Sequence, residues 1–285
     1  MSLGSRRLAG VVGTFILLAG VAACAEENEP SGNPPRTPSE SPSPVEPLGL
    51  PGNALVLVTG TVEDGVPTFT ESGSATTSIE QATYEDGAVD VVPGRNDELA
   101  LRFPAFEKRD PYPRAVLAVT AQGATDELSP GTHDFLIGAD FKLDQRSTGR
   151  ADDNGNNLIQ RGLSSDPSLY KLEVDKSMRP SCTLRGGSGT VTLRSDTTVV
   201  PDVWYRVRCE RVGNSVVVSV GRIQSDGLVE PATRTLEGLI GPIVMDDRFT
   251  PISIGGKVAH NGQLIASATD QFNGLIMNPV AYIAP

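Results

Sequence analysis

The feature that most constrains this chain is an alternation of period two. From Phe135 to Asp144 the odd positions are Phe, Ile, Ala, Phe and Leu, while the even positions turn polar at Asp140, Lys142 and Asp144. Tyr170, Leu172 and Val174 alternate with Lys171, Glu173 and Asp175, and Tyr205, Val207 and Cys209 alternate with Arg206, Arg208 and Glu210. Successive side chains of an extended strand point to opposite faces, so each segment offers one face to a core and one to water. Val216, Val218 and Val220 follow Gly213-Asn214, a turn signal between two strand-like runs. Further strand candidates are 54–62, 99–103, 114–121, 190–194, 252–255 and 272–283, and no stretch shows a helical stripe longer than two turns. The pattern predicts an all-β fold, antiparallel sheets packed as a sandwich.

Composition narrows the function. Of 285 residues, 24 are Lys or Arg and 35 are Asp or Glu, for a net charge of −11. A phosphate backbone must be met by a basic surface, so nucleic acid is not an expected partner. With only two His, a His-built metal centre or a His-rich catalytic site is not expected.

The amino terminus is an address. Arg6 and Arg7 precede an apolar run from Leu8 to Val21, which ends at Val21-Ala22-Ala23-Cys24. That is the layout of a secretory signal, and its ending resembles a bacterial lipobox. The resemblance implies cleavage before Cys24 and a diacylglycerol on its thiol, with palmitate-class chains holding the protein on the outer face of the cell membrane. Two or three acyl chains, at about 0.8 kcal/mol per buried CH₂, anchor stably without a spanning helix. The arginine pair fits either an ordinary basic n-region or a twin-arginine export signal.

Residues 1–23 are thus expected to be the signal, and residues 24–50 a tether. From Ala25 to Leu50 the 26 residues include seven Pro and five Glu, too polar to bury a core. Such a chain extends at about 3.1 Å per residue, or roughly 80 Å at most. Residues 51–285 show no second linker and no repeat, and are expected to form one domain. Cys182 and Cys209 remain, both on strand-like segments of an exported chain, where oxidation is favoured. They are expected to form a disulfide closing a loop of about 28 residues, worth roughly 3–4 kcal/mol on the chain-entropy model. Nothing like Cys-x-x-Cys suggests a redox pair.

Two segments carry a family resemblance. Val203-Trp204-Tyr205-Arg206-Val207-Arg208-Cys209-Glu210, the Gly213-Asn214 turn and the valine strand resemble a hairpin of laminin G-like domains. Pro251-Ile252-Ser253-Ile254-Gly255-Gly256, followed by Asp270-Gln271-Phe272-Asn273-Gly274-Leu275-Ile276, is similar to their closing strands. With the looser match of Phe135–Asp144 and Leu158–Gly162, the resemblance covers about residues 130–285. It implies a concanavalin A-like jelly-roll of two curved antiparallel sheets. Packing alone accounts for the motif residues: Trp204 and Val207 are expected between the sheets, with Phe272 and Ile276 plugging the same core and Gly274 allowing a close approach.

Because this superfamily includes glucanases, catalysis needs a test. Their retaining hydrolases carry Glu-x-Asp-x-x-Glu on one strand, with nucleophile and acid on one face. The match here is Glu173-Val174-Asp175-Lys176-Ser177-Met178, where Met178 replaces the proton donor. No Gly-x-Ser-x-Gly elbow, phosphate loop or zinc spacing is present. His133 and His260 lie in turn-like surroundings.

Three binding features remain. Asp152, Asp153, Asn154 and Asn156 crowd oxygen ligands into one loop, either a calcium site of the kind laminin G-like domains place at a rim or a set of plain turns. Asp246-Asp247 is a second oxygen-rich pair. Gln160, Arg161, Arg206 and Arg208 are candidates for a ligand-facing sheet surface, with Tyr84 and Tyr112 outside the clear core patterns. The expected function is non-catalytic binding or adhesion to a glycan or an extracellular protein. The alternatives are a polysaccharide hydrolase or lyase and a structural envelope protein.

Overall fold

The computed structural model describes residues 54–109, 111–145, 155–224, 227–228 and 231–285. The signal, Cys24, the tether and Asp152, Asp153 and Asn154 lie outside the described residues.

The period-two segments fold as strands, and no helix occurs among the described residues. In chain order the strands are β1 (Val56–Glu63), β2 (Val66–Glu71), β3 (Thr77–Tyr84), β4 (Asp90–Pro93), β5 (Leu99–Arg102) and β6 (Arg114–Ala121). Then come β7 (Phe135–Leu143), β8 (Asn156–Arg161), β9 (Leu169–Val174), β10 (Pro180–Gly186), β11 (Gly189–Arg194) and β12 (Trp204–Val212). The last are β13 (Ser215–Gln224), β14 (Gly227–Leu228), β15 (Ala232–Glu237), β16 (Ile252–Ile254) and β17 (Gly274–Ile283). One sheet of ten strands runs β14-β13-β12-β7-β17-β1-β2, with β15 on β13, β5 on β17 and β4 on β5. The other, of seven strands, runs β11-β10-β9-β8-β16-β6-β3. The fold is an all-β jelly-roll sandwich of two antiparallel sheets.

The core lies between the sheets, where the inward rows meet. Ile137, Ala139 and Phe141 of β7 and Val207 and Cys209 of β12 face Leu172 of β9, Cys182 and Leu184 of β10 and Leu117 and Val119 of β6. Phe272 packs edge-on against Phe103 and Phe141, with centroids 5.9 and 6.4 Å away. A Cβ on Gly274 (φ 146°) would run into the Lys142 carbonyl, so only glycine lets the chain cross from Phe272 into β17. The expected Cys182–Cys209 disulfide joins β10 to β12, and so staples one sheet to the other, with Cα atoms 5.3 Å apart.

One expected core residue lies elsewhere. Trp204 has the strand parity of Arg206 and Arg208 and therefore faces outward. It joins Val92, Ala100, Leu275 and Met277 in a small cluster on the outer face of the ten-stranded sheet. Tyr205 takes the inward place and stacks on Phe141 at 5.9 Å. Trp204 and Val207 are three positions apart, and a strand cannot point both to the same side.

Candidate functional site: the outer face of the seven-stranded sheet

Antiparallel register aligns one residue from every strand of the smaller sheet on its outer face. The row reads Thr192, Thr183, Lys171, Gln160, Ser253, Ala118 and Glu80. Directly opposed residues share a face, so this polar row is a built surface. The segment from Gly256 to Asp270 crosses it. Val258 and Leu264 pair in an isolated bridge and pack on Val116, Ala118 and Ala82. The buried Gln271 amide fixes the end of this segment through Ala115, the Gly255 carbonyl and the Phe272 carbonyl.

The crossing leaves a cleft on either side. The larger, about 540 Å³, has a polar floor of Gln160, Lys171, Lys257 and Asp270, with Leu163, Leu169, Ile265 and Ala268 among its walls. Lys257 Nζ lies 3.0 Å from Asp270 Oδ2, and Lys171 Nζ lies 3.4 Å from the same oxygen and 2.5 Å from Glu173 Oε2. Two ammonium groups are thus matched by two carboxylates. The second cleft, about 420 Å³, is lined by Glu80, Thr120, Gln122, Asp247, Phe249 and Asn261, with Ala118 in its floor. His260 also lines the second cleft, its Nε2 2.7 Å from Asp166 Oδ2, which ties the crossing segment to the 163–168 loop.

The four residues proposed for one sheet surface separate onto three faces. Gln160 sits on the outer row, where its amide donates to the Gly162 carbonyl and accepts from Asn157 Nδ2. Arg161, its neighbour, must point the other way and lies fully buried at 0% exposure. There it donates to both Asp126 carboxylate oxygens, Ser129 Oγ and the Thr250 and Arg248 carbonyls. Its expected surface placement is therefore corrected: alternation forbids two consecutive strand residues on one face. Arg206 and Arg208 lie on the outer face of the other sheet. The Asp140 carboxylate binds Arg206 bidentately, at 2.5 and 2.8 Å, and raises its pKa. Arg208 stands 3.8 Å from Glu210, whose carboxyl is pushed up by burial, with Arg208 opposing.

The other sequence candidates resolve as follows. Asn156 is a buried β8 residue whose Oδ1 accepts from the Asn273 amide. Among the described residues no three His, Cys, Asp or Glu side chains are grouped to hold a metal ion. Glu173 and Asp175 do not face one site: Asp175 leaves β9 to cap a turn through the Ser177 and Arg179 amides and pairs with Arg194. Tyr112 is buried against Arg114, 3.6 Å from the guanidinium, and Tyr84 flanks the same group at 5.2 Å. Asp246 and Asp247 line a small 60 Å³ hollow beside His260 and Asp166. The sequence reading missed Phe249, Glu80, Lys171, Lys257 and Asp270 as site residues. Only the register and the crossing segment bring them together.

No protein-family model matches the chain, and neither does any curated protein. Among solved structures, it is similar to the binding domain of botulinum neurotoxin serotype D/C, with TM-score 0.50 and 11% identity over 81% of this chain and 48% of that one. The LG1–3 region of the laminin α2 chain is matched at TM-score 0.42 and 20% identity, over 59% of this chain and 30% of that one. Domain 4 of an extracellular arabinanase from Geobacillus stearothermophilus, in complex with arabinotriose, is matched at TM-score 0.44 and 10% identity, over 73% and 82%. The chain spans less than half the length of the first two. At these identities the likeness is one of fold.

Proposed function

We propose that the chain is an exported, lipid-anchored protein whose domain binds a neutral saccharide unit, without catalysis, in the larger cleft. The observation that carries this reading is the cleft floor. Gln160, Lys171, Lys257 and Asp270 offer donors and acceptors, charge-balanced once Glu173 beside Lys171 is counted and framed by aliphatic walls, with Gln160 and Lys171 held on paired strands. A few convergent polar groups in a concavity that is about as polar as it is apolar suit a polyol with hydroxyl edges and C–H faces. Both nearby carboxylates are bridged by Lys171, and Met178 stands where a glucanase carries its acid. That arrangement supports holding a sugar over cleaving it. The lipid anchor rests on the Val21-Ala22-Ala23-Cys24 sequence.

The test is a panel of neutral and acidic oligosaccharides and wall polysaccharides titrated against the full chain in neutral detergent. Lys257→Ala and Gln160→Ala should weaken a neutral ligand about tenfold each. Shortened product would replace this reading with hydrolysis, and silence across the panel would overturn it in favour of a protein partner or a structural role. Parallel runs with calcium and with chelator test the cation expected at residues 152–157. Cys24→Ala should move the protein from the membrane fraction to the soluble one.

A further inference from the structure

The second cleft differs from the first in chemistry. Its aromatic member, Phe249, is 46% exposed, yet it sits on a loop fixed from below. The fully buried Arg161 donates to the Arg248 and Thr250 carbonyls, at 3.1 and 2.9 Å, on both sides of Phe249. Asp247 Oδ1 accepts from the Phe249 amide at 2.9 Å. The Arg248 guanidinium lies 4.1 Å from the ring centroid and donates to the Gly123 carbonyl. One side of the ring is therefore backed by a cation, while the ring itself stays open to solvent. An aromatic surface held this firmly loses little entropy when a ligand stacks on it.

The carboxylates around it have hydroxyl and amide neighbours but, among the described residues, no ion-pair partner. Among the described residues neither Glu80 nor Asp247 has an ion-pair partner, whereas both carboxylates of the larger cleft are bridged by lysine. Gln122 donates one of its two amide N–H groups to Ser78 Oγ. Arg248 is turned to the ring and to Gly123, and His260 is held by Asp166. What the cleft presents is an aromatic platform with two carboxylates that have no ion-pair partner, one at the end of the sheet's polar row and one in the loop.

We infer that this second cleft binds a saccharide carrying a free amine, a hexosamine unit that is not acetylated. The sugar's C–H face stacks on Phe249, and its ammonium is met by Glu80 and Asp247. A neutral sugar would leave the carboxylates with hydroxyl partners only, and an acidic sugar would be repelled. This inference does not depend on the larger cleft, whose lysines lie on the other side of the crossing segment.

The experiment titrates the full chain, in neutral detergent, with a glucosamine oligosaccharide and with its N-acetylated counterpart. At low salt the free amine should bind about three- to fivefold more tightly, the scale of an exposed charge pair. The advantage should shrink as salt shortens the screening length to about 8 Å at physiological strength. Glu80→Gln, an exposed change that leaves the core untouched, should erase the preference. Phe249→Ala should weaken both sugars. Glu63→Gln, at the end of β1 and outside the cleft lining, controls for the chain's negative charge and should have no effect. Equal affinity for the two sugars, absence of binding, or a preference that survives Glu80→Gln would each overturn the inference. So would binding of an oligolysine peptide with no sugar bound.

Discussion

The outer faces of the two sheets carry similar residues and do different things. On the ten-stranded sheet, Asp140 is buried at 0% exposure between Arg206 and Arg95, the latter at the tip of the β4–β5 hairpin that rests near Met277. Charge there closes a surface. On the seven-stranded sheet, the 256–270 segment packs Val258 and Leu264 on the sheet, meets Lys171 through Asp270, and leaves polar side chains open on both flanks. Charge there lines clefts. A polar outer row therefore becomes a candidate site only where its cover is narrow. The presence of arginines says little by itself.

The largest effect expected is at Arg161, which belongs to neither outer face. Arg161→Met should cost about 3–5 kcal/mol, because Asp126 and two carbonyls lose a fully buried donor. Urea denaturation measures the loss. Sugar binding beside Phe249, assayed on the protein that still folds, should weaken with it. A cost below about 1 kcal/mol would mean that the buried guanidinium is not what organises that end of the sandwich. Next comes the staple between the sheets. Replacing Cys182 and Cys209 with Ala should cost about 3 kcal/mol by the same assay, and should do so without a preference for either cleft.

Asp140→Asn sharpens the contrast between faces. It keeps the shape but removes the charge that two guanidinium groups share, and both arginines retain some water contact. The expected cost is about 1–3 kcal/mol, with no change in saccharide affinity. Lost binding with unchanged stability would reverse the assignment of the faces.

How much of this was legible in the sequence follows from the alternation itself. Strands with Val, Ile or Phe every second residue, such as β7, β12 and β13, stand out because one face is apolar. β2, β3 and β15 do not, because they lie at sheet edges and carry Thr, Ser, Glu and Gln on exposed or half-exposed positions. The disulfide was legible from the count of cysteines and the export signal. The parity of Trp204, Gln160 and Arg161 was also present in the sequence, and a strict use of period two places all three correctly. The clefts were not legible. Lys171 and Glu80 stand 91 residues apart and share a row only through four strand pairings. Phe249 lies in a loop with no period to mark it.

The smallest effect tests the ten-stranded face from its one strained carboxyl. Glu210 lines an open hollow of about 330 Å³ with Phe135, Leu136 and Tyr282, and burial raises its pKa against the pull of Arg208. A carboxyl whose folded value is raised takes up its proton more readily in the native state than in the unfolded chain. Stability therefore falls as pH rises from the unfolded carboxylate range, about 4.3, through the raised native value, and the cost is fully present above it. Glu210→Gln removes that dependence. The variant should be more stable than the parent at pH 7.5 by less than about 1 kcal/mol, since the group keeps partial contact with water. Below the unfolded range the gain should vanish, and paired urea midpoints at pH 3.5 and 7.5 read the difference. A variant less stable at pH 7.5 would show that Arg208 outweighs burial. This end of the face would then be a second closed, charge-paired surface like that around Asp140, with no unrelieved carboxylate in its hollow.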